Sequence, residues 1–216
     1  SVAQMVSYEI PMALSIVPVL LVVGSFSTVQ IVEAQSGWNW FVFTPWGIAG
    51  FFIFFLTGVA EVNRTPFDLA EGESEIVAGF HTEYSGMKFA LFYMAEFMNT
   101  FSISAIVATA YLGGWQGPWL PSWLWFFLKT YALILVMMWF RGTLPRFRVD
   151  QLMGFAWKFL LPLALINLFA AAIWIELKPP ANFWAALAVV TGSVFLLYWA
   201  SSPEIPKKRK YRYAYE

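Results

Sequence analysis

Apolar residues along this chain fall in blocks of about twenty, separated by short polar stretches, and not at the three-and-four spacing of a half-buried helix. Six blocks can be drawn, at about 3–24, 42–60, 86–112, 120–141, 153–176 and 183–200. Each is near the ~20 residues that cross ~30 Å of hydrocarbon at ~1.5 Å per residue. In lipid each must be helical, because an unpaired backbone group there costs several kcal/mol. The pattern predicts an all-α fold, a polytopic transmembrane helical bundle of about six spans. Residues 1–200 are expected to form one transmembrane domain with an acidic loop at 61–84, and residues 201–216 a basic tail. Turn residues mark the breaks: Gly37, Gly113 and Gly114 with Gly117 and Pro118, Gly142 with Pro145, and Pro179 with Pro180. The stretch 25–41 reads as a connecting loop whose Trp38 and Trp40 suit a membrane interface. There is no internal repeat.

Composition sharpens this picture. The chain is 60% hydrophobic and only 12% charged, which places it in the membrane class. Its net charge of zero gives no global field to attract nucleic acid. With no cysteine and a single histidine, His81, the chain by itself can hold neither a cysteine-ligated iron–sulfur cluster nor a bis-histidine haem, so any electrons must come from a partner. The first residue is Ser1 and no cationic region precedes the first apolar block, so no signal peptide is expected, and the chain reads as a fragment or as a piece of a split subunit. An alternating path puts Arg64, Arg141, Arg146, Arg148 and the tail residues Lys207, Lys208, Arg209, Lys210 and Arg212 on one side, with only Lys178 in the opposite loops. The basic side is expected to face the cytoplasm, or the matrix of a mitochondrion. The tail suits either anionic lipid headgroups or a partner.

The acid is concentrated. Six of the thirteen carboxylates, Glu61, Asp68, Glu71, Glu73, Glu75 and Glu83, lie between Ala60 and Tyr84, and a carboxylate set at a bilayer edge is a functional-site candidate. Glu71, Glu73 and Glu75 share one face of an extended backbone, and Glu71 and Glu75 share one face of a helix; such forced neighbours titrate as a coupled set. A solvated acidic loop is the bland alternative. Arg64 is spaced to pair with Asp68 at i, i+4. Within the spans lie Glu9, beside Tyr8, and Glu96 and Lys129. By count from their helix starts Glu96 and Lys129 reach similar depth, so an ion pair between them is one reading and two stations of a proton path the other. Asn167, Pro18 and Pro162 read as structural. On the basic side, Arg146 and Arg148 flank Phe147 and precede Asp150, an arrangement that could hold a partner's carboxylates, an anionic lipid or a polar ligand head.

The runs AEVNRTPFDLAEGESEIVAGFHTEYSGMKFALFYMAEF, YLGGWQGP, RGTLPRFRVDQLMGFAWKFLLPLALIN and SYEIP resemble the quinone-site membrane subunit of respiratory complex I, called the H subunit in bacteria and NADH dehydrogenase subunit 1 in mitochondria. The resemblance covers nearly the whole chain, and the first run is highly specific. It implies a subunit of a proton-translocating NADH:quinone oxidoreductase in an energy-transducing membrane, the bacterial plasma membrane or the mitochondrial inner membrane, with no catalysis by this chain alone. Quinone, ubiquinone or menaquinone, would be the substrate; iron–sulfur clusters and flavin would sit in partner subunits, and the partners would be peripheral-arm iron–sulfur subunits and other membrane-arm subunits. Carried over by position, the proton path and coupling residues would be Glu9, Glu61, Asp68, Glu71, Glu73, Glu75, Glu83 and Glu96, with Lys129 the other ionisable group within the spans. The quinone chamber or its junction would include Arg64, Phe67, Arg146, Arg148 and Asp150. The family carries further helices before SYEIP, so this chain would supply only part of the chamber. Two other classes remain open: an ion-translocating or anchoring subunit without redox work, and a subunit of a related hydrogenase or ferredoxin-linked complex.

Overall fold

The computed structural model describes residues 2–67, 84–145, 147, 149–177 and 179–200. They form helices α1 (Val2–Val23), α2 (Thr28–Ala34), α3 (Pro45–Glu61), α4 (Met87–Tyr111), α5 (Ser122–Thr143), α6 (Val149–Phe155), α7 (Leu161–Glu176) and α8 (Ala181–Ala200), and no strand is present among them. Five stretches are long and apolar enough to cross a membrane: Val6–Val23, Met87–Tyr111, Ser122–Thr143, Gln151–Glu176 and Ala181–Trp199; α3 is a shorter apolar helix. The fold is thus the expected polytopic helical bundle of about six spans.

Helix α3 is its axis. Residues on every side of α3 are buried, from Trp46 to Ala60, and α1 packs most extensively against α3 and α7. Close approach depends on small residues, as it does wherever lipid removes the hydrophobic incentive to associate. A Cβ on Gly58 would lie 2.6 Å from Ile103 Cγ2 of α4. Helices α5 and α8 lie outermost, against α4 and α7, and turn Leu135, Trp139, Phe195 and Trp199 outward. In water those faces would be a liability; in hydrocarbon they are ordinary.

Three boundaries differ from expectation. The second block begins at Pro45, not at 42, because Thr44 Oγ1 accepts the Gly47 N–H at 3.1 Å and Pro45 occupies the first helical turn, where its missing N–H costs nothing. The stretch 25–41 is more than a loop, since it contains α2 and ends against a 3₁₀ turn at Phe41–Phe43. The fifth block starts at Val149 and runs through a π turn, Ala156–Leu160, before α7. Pro162 lies two residues beyond that turn and cannot donate to the preceding helical turn, so a local widening of the ladder falls where the ladder is already broken.

Candidate functional site

The end of α3 and the first turns of α4, with the adjoining parts of α1 and α5, gather the ionisable residues. Helix α3 ends at Glu61, which is half-buried, and Asn63 at φ +53 turns the chain away. Asparagine tolerates that left-handed backbone better than most residues. The turn delivers Arg64 to α4, where its Nε lies 2.8 Å from Glu96 Oε1, and its Cζ stands 5.2 Å from the centre of the Phe97 ring. One α-helical turn on, Thr100 Oγ1 donates to the Glu96 carbonyl at 2.9 Å. The neighbouring carboxylate on α1, Glu9, is exposed at the bundle surface and close enough for its charge to act on Glu61.

An aromatic column stands beside these charges. The Tyr8 ring lies 5.5 Å from that of Phe67, and Phe67 lies 5.9 Å from Phe147. Tyr8 Oη donates to the Leu152 carbonyl at 3.1 Å, and the Phe147 N–H donates to the Pro66 carbonyl at 3.2 Å. Phe147, the residue between Arg146 and Arg148, is therefore pinned to the start of the acid segment. Between α4 and α5 a cavity of about 200 Å³ opens alongside the ion pair, lined by Arg64, Phe97, Thr100, Ile134, Met137, Met138 and Arg141. Its apolar wall with guanidinium groups at one end suits an elongated apolar molecule that carries a polar head.

Thus Glu9, Glu61, Arg64, Phe67 and Glu96 come together at one end of the bundle. Asp150 falls on the first turn of α6. Asp68, Glu71, Glu73, Glu75, Glu83, Arg146 and Arg148 lie outside the described residues, as do His81 and the tail 201–216. Among the described residues no group of three His, Cys, Asp or Glu side chains is placed to hold a metal ion.

Lys129 requires a correction. It does not pair with Glu96. Its Nζ donates to the carbonyls of Leu112 at 2.6 Å, Gly114 at 3.0 Å and Gln116 at 2.7 Å, and it stands 4.2 Å from the Trp40 ring centre. Those carbonyls follow the C-terminus of α4, whereas Glu96 lies near its N-terminus, about 24 Å away at ~1.5 Å per residue. Residue counts taken from each helix's own start mislead here, because α4 and α5 run in opposite directions and equal counts lead to opposite faces of the membrane. Arg64 is the partner that Glu96 has.

Sequence reasoning also missed Gln35, which is fully buried at the same end as Lys129. Its Nε2 donates to the carbonyls of Ile31, Thr109 and Ala110, and its Oε1 accepts the N–H groups of Gly113 at 3.0 Å and Phe41 at 3.3 Å. Little in the sequence could have found it, since Gln30, Glu33 and Ser36 lie on the same short segment; what distinguishes Gln35 is that the fold brings it against the Gly113 turn, whose backbone groups need partners.

A family model described as NADH dehydrogenase matches residues 1–172. The chain is 50% identical over 189 residues to H subunit 2 of the NADH-quinone oxidoreductase of Koribacter versatilis, an alignment covering 82% of this chain and 53% of that protein. It is 52% identical over 182 residues to the NADH-quinone oxidoreductase H subunit of Dehalococcoides mccartyi strain 195, covering 84% of this chain and 50% of that protein. With the corresponding H subunit of strain CBDB1 of the same species it shares 50% identity over 200 residues, 91% of this chain and 56% of that protein. The chain spans about half the length of the curated relatives it matches.

Proposed function

From the premise that this chain belongs to the NADH dehydrogenase family, alongside the H subunits of NADH-quinone oxidoreductases, we propose that it is a membrane subunit of a proton-translocating NADH:quinone oxidoreductase. In this reading it forms part of the quinone-binding chamber and of the acidic path that couples quinone reduction to proton movement. The observation that carries the reading is the gathering of Glu9, Glu61, Arg64 and Glu96 at the bundle end from which the acid segment leaves, beside the Tyr8, Phe67 and Phe147 column. The partners are peripheral-arm iron–sulfur subunits and other membrane-arm subunits, and the membrane is the bacterial plasma membrane or the mitochondrial inner membrane.

Quinone reduction takes up electrons and protons together, and the electrons come from an iron–sulfur partner. This chain's residues handle the protons. Asp68, Glu71, Glu73, Glu75 and Glu83, close together in the sequence, supply and regain protons as a coupled set. Glu61 and Glu9 feel the resulting change of charge, and Arg64, three residues after Glu61 and ion-paired with Glu96, carries that change to α4. Arg146, Arg148 and Asp150 are assigned to the junction with the peripheral arm. Lys129 stands apart and secures the connection after α4.

Photo-crosslinking with a quinone analogue on the purified membrane assembly, followed by peptide mapping, tests the reading. Labelling near the acid segment or the start of α4, competed away by quinone, is the expected result; competed labelling wholly on other subunits would remove this chain from the chamber. Glu96→Gln is expected to slow quinone-linked turnover and proton pumping together, and normal rates of both would remove Glu96 from the path.

A further inference from the structure

Asn167 lies midway along α7 with 1% of its surface exposed, and neither its Nδ2 nor its Oδ1 has a hydrogen-bond partner among the described residues. Gly50 of α3 faces it. A Cβ on Gly50 would stand 2.8 Å from Tyr111 Oη and 3.2 Å from Asn167 Nδ2, so these two polar atoms are no more than about 6 Å apart. No direct bond joins them. Tyr111 is fully buried and spends its proton on the Ser15 carbonyl of α1, at 2.6 Å, which leaves the phenolic oxygen able to accept. Four helices therefore meet at a point where one side offers amide donors and the other an oxygen acceptor, no more than about 6 Å apart, so one water on the side away from Gly50 can hydrogen-bond to both.

An unpaired amide in a membrane interior is expensive, and buried polar groups without a protein partner are as a rule satisfied by ordered water. We propose that an ordered water molecule is bound between Asn167 and Tyr111, accepting from Asn167 Nδ2 and donating to Tyr111 Oη. It extends the Tyr111 to Ser15 bond into a hydrogen-bonded chain from α7 through α4 to α1, and the absent side chain of Gly50 lets α3 close over it. Asn167 is then a water ligand that sets the crossing of these helices, a role independent of any quinone chemistry.

A density map of the membrane assembly containing this chain, at a resolution that shows ordered waters, is the test. The expected result is density within hydrogen-bond distance of both Asn167 Nδ2 and Tyr111 Oη. In the Asn167→Leu assembly that density is expected to be lost and the melting temperature to fall by a few degrees. A direct bond between Asn167 and Tyr111 with no density between them overturns the proposal. So does an Asn167→Leu assembly that melts higher than the wild type, the outcome when a dry, unpaired amide is replaced by an apolar side chain of similar size. If Asn167→Leu does not assemble, the wild-type map alone decides.

Discussion

Arg64 and Glu96 form an ion pair, Nε to Oε1 2.8 Å, that joins the chain leaving α3 to the third turn of α4, with each side chain 14% exposed. A pair this sheltered matters more through what its rupture leaves behind than through its own net contribution. Removing one partner strands a charge in a low-dielectric setting, while removing both strands none.

A double-mutant cycle follows from that asymmetry. Arg64→Met alone is expected to destabilise the assembly by about 2–4 kcal/mol, and Arg64→Met with Glu96→Met by clearly less than the sum of the single changes. Melting temperatures of the four assemblies give the comparison. Strict additivity would mean that the pair does not form in the assembled protein.

The Tyr8 to Phe67 contact separates a hydrogen bond from a packed ring. Tyr8→Phe removes only the bond to the Leu152 carbonyl and is expected to cost about 1 kcal/mol. Phe67→Ala empties a buried ring position between Tyr8 and Phe147 and is expected to cost about 3–5 kcal/mol. Thermal stability read beside quinone reductase activity would show whether the aromatic column also shapes the chamber, since Phe67→Ala should then lower turnover in the assemblies that survive.

Lys129→Met is expected to act on assembly and not on chemistry. It leaves the carbonyls of Leu112, Gly114 and Gln116 short of a donor, at about 1–3 kcal/mol for each carbonyl left buried and unpaired. The amount of assembled complex should fall, while turnover per assembled complex stays within about twofold of wild type. A loss of turnover equal to that of Glu96→Gln, with assembly intact, would return Lys129 to the proton path.

Two glycines isolate a steric effect from a backbone one. Gly24 and Gly113 have nearly the same left-handed backbone, φ +71 and φ +72, but a Cβ on Gly24 meets nothing within 4 Å whereas one on Gly113 would lie 2.8 Å from the Trp40 ring. Gly24→Ala is expected to cost about 1–2 kcal/mol, the left-handed penalty alone. Gly113→Ala should cost about 1–3 kcal/mol more, because the Trp40 ring it would push also covers the Lys129 ammonium. Equal melting shifts for the two variants would show that Trp40 yields freely.

The spans were legible because lipid leaves the backbone almost no choice: an apolar run of about twenty residues must be a helix, whatever its neighbours are. The acid segment and SYEIP likewise pointed to the family directly, since their residues are legible one by one in the chain. Glycine and proline marked the breaks, although the cap at Thr44 and the helix at Thr28–Ala34 moved two boundaries that hydrophobicity alone had drawn elsewhere. Partners were decided only by the tertiary structure. Glu96 meets Arg64, Lys129 meets three carbonyls, and Gln35 gathers α2, α4 and the turn at Gly113. The opposed directions of α4 and α5 already follow from an alternating path, but how each helix is rotated about its axis does not, and it depends on packing such as the close approach of Ile103, Tyr111 and Asn167 to Gly50 and Gly58 on α3. Such interlocking involves side chains far apart in the chain, so counting along any one segment cannot reveal it.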